Sequence, residues 1–184
     1  MMLRLIDDVN KALDTECYYA ALSLVLTFPN ICGKAAYPQE KIGKRYKYWY
    51  DEHIGKYEQC PCEHCQKKPM PYLSGEVVYS LRNSFLHQGT PNIETSKIKN
   101  ENNIIDNFEL VIESKNPFDI YSDAAGVYNG SVRTYRVNVR RLCLIICNCV
   151  KAYYEANQDK FNFFNYSIID WDKEIDKMKS WKLD

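Results

Sequence analysis

Ile6, Val9, Leu13, Cys17, Ala20, Ala21, Leu24 and Phe28 recur at steps of three and four, the spacing that lines one face of an α-helix with apolar side chains. The same step returns late in the chain at Val139, Leu142, Ile146 and Val150. Stripes of this kind must be buried against other elements, and a chain whose strongest periodicity is helical does so by packing helix on helix. The expected fold class is therefore mainly α.

Boundary residues divide the pattern. The first stripe predicts one long helix stopped at Pro29, with Gly33 closing the turn after it. A second helix is expected from about Pro38 to Ile54. There Ile42, Tyr46, Trp49, Tyr50 and His53 share a side, and Lys41, Lys44, Arg45 and Lys47 form the wet face. Ser74 has the features of an N-cap, with Glu76 in the first turn, for a helix that buries Val78, Leu81 and Phe85 and ends before Gly89. Thr90–Asn107 is polar and expected as loop.

The period then changes. Phe108, Leu110 and Ile112 alternate as in a strand, Tyr128-Asn129-Gly130 is a tight-turn signal, and Val132, Tyr135 and Val137 supply a returning strand. Asn138 is the expected N-cap of a last core helix reaching about Asn157. The whole, residues 1–184, is read as one domain. It carries a small β-hairpin inserted at about 107–137, before the last core helix, and an aromatic tail from about 158 to 184 with a short helix at Asp172–Trp181.

Composition narrows the function classes. Charged residues make up 26% of the chain, and 24 basic side chains balance 24 acidic ones, so no overall field draws it to nucleic acid or membrane. Any such partner must be held by a local site. The apolar stretches Tyr18–Phe28 and Leu142–Val150 are too short to span a bilayer, and Asp7 and Asp8 interrupt the N-terminus where a signal peptide would be apolar. A cytoplasmic protein with reduced thiols and no membrane association is expected.

The segment that carries chemistry is Arg82-Asn83-Ser84-Phe85-Leu86-His87. On a helix, Arg82 and His87 project roughly 140° apart and about 7.5 Å along the axis, while Asn83 and His87 share a face. A long arginine side chain can curl round to meet both. RNA cleavage without a metal needs a proton-transfer group near the 2′-hydroxyl, a cation at the phosphorane and an orienting hydrogen bond. Histidine, arginine and asparagine supply these. Because one helix spreads the groups, a homodimer that sets two such helices together would make a denser site. The competing structural role pairs Arg82 with Asp14 or Glu16 and lets His87 cap the end of its helix.

Arg82-Asn83-x3-His87 in this helical setting resembles the R-x4-6-H motif of the HEPN superfamily. The stretches Asp14–Leu22, Phe28–Gly33 and Leu73–Glu76 also resemble a bacterial group of uncharacterised proteins with that motif, a likeness covering the first half of the chain. The resemblance implies a HEPN-like up-and-down helical bundle and a metal-independent endoribonuclease acting by 2′-hydroxyl transesterification. Arg82 and His87 would be the catalytic pair, with Asn83 beside them. It further implies a homodimer and a setting in toxin–antitoxin or antiphage defence, with an antitoxin or regulatory protein as partner. The alternative is a catalytically inactive relative that binds a nucleotide or a protein.

Two further clusters carry readings. Arg133, Arg136, Arg140 and Arg141 fall where the hairpin enters the last helix, either as a phosphate-gripping RNA-binding surface or as a solvated face paired with carboxylates. In Cys60-Pro61-Cys62-Glu63-His64-Cys65, the set Cys60, Cys62 and Cys65 with His53 is a candidate structural zinc site, and reduced thiols in a polar loop are the alternative. Catalysis itself is expected to need no cofactor. Cys143, Cys147 and Cys149 lie on the last helix, where cysteine behaves as a small hydrophobe.

Overall fold

A computed structural model describes residues 1–59, 62–63, 67, 71–93, 95–112, 124–128, 132–164 and 169–180. Among them are seven α-helices: α1 Met2–Asp14, α2 Tyr18–Val25, α3 Phe28–Ala36, α4 Ile42–His53, α5 Gly75–Gln88, α6 Val139–Ala156 and α7 Trp171–Ser180. The strands are β1 Asn107–Val111, β2 Ala124–Tyr128 and β3 Val132–Asn138. The fold is mainly helical, as the periodicity requires.

The first stripe is buried by three helices rather than one. After α1 the backbone turns at Glu16, whose φ of 58° lies in the left-handed region. Cys17 N–H donates to the Ala12 carbonyl at 2.7 Å and closes the bend. No glycine or proline marks this break, and the expected continuous helix fails here. Folding back lets α1 bury Ile6, Val9 and Leu13, and α2 bury Ala21, Leu22 and Val25, against one core. Cys17 and Ala20, expected on the buried stripe, are exposed.

Pro29 does not stop a helix but stands in the first turn of α3, where its missing N–H leaves no bond unmade. Gly33 lies inside that helix. A Cβ there would stand 2.6 Å from the Arg45 carbonyl oxygen, so glycine permits the close packing of α3 on α4. From α4, Tyr46, Trp49 and Tyr50 are fully buried, and Tyr46 Oη donates to the Leu26 carbonyl at 3.1 Å. Burying apolar surface of this size contributes about 1.5–3 kcal/mol per side chain, offset in part at Trp49 Nε1 and Tyr50 Oη, which find no hydrogen-bond partner among the described residues.

α5 and α6 start where the capping residues place them. Ser74 Oγ accepts from Val77 N–H at 3.3 Å, and Asn138 Oδ1 accepts from Arg141 N–H at 2.9 Å. α6 then presents Leu142, Cys143, Ile146, Cys147 and Val150 to α1, α2 and α3. Burial pushes the Cys143 and Cys147 thiols up to about 12, which keeps both protonated as apolar filler.

The sheet differs from the expected hairpin. It has three strands in the order β1-β3-β2. β2 and β3 form the antiparallel pair that flanks the Tyr128-Asn129-Gly130 signal, whose Asn129 and Gly130 lie outside the described residues. β1 pairs with β3 in parallel, setting Phe108 beside Tyr135 and Leu110 beside Val137. A parallel pair cannot be joined by a tight turn, and the connection from β1 includes β2 itself. Alternation in a strand reports which face is buried, not the direction of its partner. Asn138 ends β3 and caps α6, so sheet and core helix are continuous.

α7 is amphipathic, with Trp171 and Met178 exposed, and it occupies the position expected for the tail helix. Among the described residues, no helix is long and apolar enough to cross a membrane.

Candidate functional site

α5 is fixed at both ends before its surface is considered. At the N-terminus, Asp51 Oδ1 accepts from Gly75 N–H at 2.6 Å. Asn103, itself buried, donates Nδ2 to Ser74 Oγ at 2.6 Å and accepts from Tyr72 N–H at 2.9 Å. Burial raises the Asp51 carboxyl above the ordinary aspartate value; the Gly75 N–H and the Lys47 charge oppose this, and Glu76 adds to it. At the C-terminus Gly89, with φ of 67°, donates its N–H to the Phe85 carbonyl in a left-handed cap. A clamped helix holds its side chains in fixed relation.

Along this helix the structure brings the three expected residues together. One nitrogen of Arg82, Nη1, donates to Asn83 Oδ1 at 2.8 Å and lies 3.0 Å from His87 Nε2. An arginine N–H can only donate, so Nε2 is the acceptor and the ring proton of neutral His87 is on Nδ1. Arg82 and Asn83 are half-buried and His87 is exposed. The side chain thus curls across the gap that the helical projection predicts. Among the described residues Arg82 forms no ion pair with Asp14, Glu16 or any other carboxylate, and the His87 imidazole is turned to Arg82 rather than to the helix end.

Beside the trio, Phe85 stacks on Tyr19 of α2, with ring centroids 6.0 Å apart and planes 8° from parallel. Tyr19 is 62% exposed. On the other flank of α5 is a cavity of about 170 Å³. Lys47 of α4, Glu76, Ser80, Asn83 and Ser84 of α5, and Lys97 and Lys99 of the following loop line it. Sequence reading missed this cavity. Lys47 stands among basic residues of a wet helix face, and Lys97 and Lys99 in a segment legible only as polar loop. The one signal is the triplet Lys97-Ile98-Lys99, in which buried Ile98 anchors the loop and leaves the flanking lysines at the surface.

The arginines at the strand–helix junction go elsewhere. Arg133 donates to the Glu101 and Ile104 carbonyls at 3.3 and 3.2 Å. Arg136 forms an exposed ion pair with Glu109 at 2.7 Å. Arg140 donates to the Leu13 carbonyl at 2.9 Å, with its guanidinium over the Tyr18 ring. Arg141 makes a two-pronged pair with Glu58. None of them hydrogen-bonds to Arg82, Asn83 or His87.

Of the candidate zinc ligands, Cys60 and Cys65 lie outside the described residues, and Cys62 is exposed. His53 packs between Trp49 and Tyr153, each ring centroid 5.0 Å away, and burial lowers its pKa. Among the described residues no group of three or more His, Cys, Asp or Glu side chains is placed to hold a metal.

Fold and site together define a mainly helical protein with an arginine–asparagine–histidine trio on a clamped surface helix. Compared with known proteins, the chain matches no family model, no curated protein and no solved structure.

Proposed function

We propose that this chain is a metal-independent endoribonuclease whose catalytic groups are Arg82 and His87, with Asn83 orienting the arginine. The observation that carries the reading is the placement of Arg82 Nη1 between Asn83 Oδ1 and His87 Nε2, with no carboxylate among the described residues paired to the guanidinium. A cation left without a counter-ion at the surface is matched to an incoming phosphate, and arginine presents planar donors to it.

The chemistry follows from the bond that must be exchanged. A phosphodiester drawn to Arg82 competes for Nη1 and releases His87 Nε2. That lone pair then takes the proton of a ribose 2′-hydroxyl, O2′ bonds to phosphorus, and Arg82 balances the charge of the phosphorane. The P–O5′ bond breaks, and the proton held by His87 passes to the leaving 5′-oxygen. The products are a 2′,3′-cyclic phosphate and a 5′-hydroxyl. Tyr19 on Phe85 offers a ring face beside the trio on which a base can stack.

In this reading the protein works in the cytoplasm. The Arg82–His87 contact is made within one chain, so a homodimer is proposed to set two such surfaces against one RNA rather than to complete the pair. A role in toxin–antitoxin or antiphage systems, with an antitoxin or regulatory partner, belongs to the same proposal. Incubating the protein with a mixed RNA pool in EDTA tests it, with cyclic-phosphate termini as the expected product. RNA that is bound and left intact points instead to a binding module.

A further inference from the structure

The cavity beside α5 shares one residue with the trio: Asn83 lines it while holding Arg82. Its charge is one-sided. Among the described lining residues three are lysines, Lys47, Lys97 and Lys99, and one, Glu76, is acidic; Lys47 and Lys99 form no ion pair with a described residue. The Glu76 carboxylate accepts from Asn100 N–H at 3.3 Å, which ties the lysine-bearing loop to α5. Deeper in, the Ser80 and Ser84 hydroxyls are on buried residues and make no hydrogen bond to a described residue. Their oxygens are not among the solvent-excluded side-chain atoms and open onto the cavity, where each can bond an oxygen of a ligand.

We infer that this cavity binds the ribose phosphate of a nucleotide unit. The lysines meet the phosphate, the serine hydroxyls meet its oxygens or those of the sugar, and Glu76 accepts from a ribose hydroxyl, the pairing that acidic side chains make in dinucleotide folds. Its volume is below the roughly 300 Å³ at which pockets for drug-sized ligands begin, which suits a sugar phosphate and leaves the base outside. Two sources carry this chemistry, an RNA strand and a free phosphosugar. The RNA source rests on the ribonuclease reading, and makes the cavity a subsite for the unit next to the bond at Arg82.

The full chain carrying His87→Ala, which keeps RNA intact, is titrated with a short single-stranded RNA and separately with ribose 5-phosphate, with backbone amide resonances as readout. Both probes are expected to shift the Ser80, Ser84 and Lys99 amides. Lys47→Ala/Lys99→Ala should abolish the ribose 5-phosphate shifts and lower the salt slope of RNA binding by about one to two. Lys99→Glu, on the exposed loop, gives the same test should the double variant fail to fold. If ribose 5-phosphate shifts these amides while the wild type neither binds nor cleaves RNA, the cavity stands as a phosphosugar site and the ribonuclease reading falls. If RNA is bound and cleaved with these amides unmoved, the cavity inference falls and the ribonuclease reading stands. Amides unmoved by either probe overturn the inference as well.

Discussion

Two arginine-bearing regions use the same side chain to different ends. At the strand–helix junction, Arg133 and Arg140 cap backbone carbonyls, and Arg136 and Arg141 meet carboxylates. On α5, Arg82 meets an amide and an imidazole, neither of which carries a negative charge. Four arginines within nine residues look like a nucleic-acid surface in the sequence, and a single arginine does not. The partners reverse that impression: charge already neutralised or spent on carbonyls stabilises the fold, and charge left open is available to a ligand.

That contrast can be broken by measurement, beginning where the expected effect is largest. Arg141→Ala leaves Glu58 largely buried, its side chain 9% exposed, without its two-pronged partner. The expected loss is about 3 kcal/mol of stability, read from the urea midpoint, because an unpaired buried charge is what remains. A loss near zero would mean that the junction is not structural. Arg140→Ala removes a charged donor from the last turn of α1 and the contact over Tyr18, and about 1–2 kcal/mol should go with it. Arg136→Ala breaks a pair whose side chains are both about half exposed, and should change stability by under about 1 kcal/mol. Arg82→Ala removes hydrogen bonds only to residues of its own helix, and an equally small change in melting is expected; a large one would place Arg82 among the structural arginines.

How far the sequence foretold this arrangement depends on how local each signal is. Ser74, Gly89 and Asn138 act on backbone groups within a turn of themselves, and the ends of α5 and the start of α6 fall where they indicate. The meeting of Arg82, Asn83 and His87 is also intrahelical, set by helical pitch and side-chain length. The bend at Glu16 has no local signature, since a glutamate in the left-handed region is imposed by the packing of α1 against α2. Pro29 can end one helix or begin the next, and only tertiary packing chooses. The parallel pairing of β1 with β3, and the cavity that joins Lys47 to Lys99, depend on segments brought together from far apart in the chain, which periodicity does not report.

The central claim is that Arg82 and His87 act together on RNA. The direct test is the rate of cleavage of one defined RNA in EDTA by the wild type, Arg82→Ala and His87→Ala, each shown to melt as the wild type does. The account predicts cleavage by the wild type to cyclic-phosphate ends and a fall of roughly a hundred- to ten-thousand-fold in either variant. Cleavage at the wild-type rate by either variant, or no cleavage by the wild type, would contradict it.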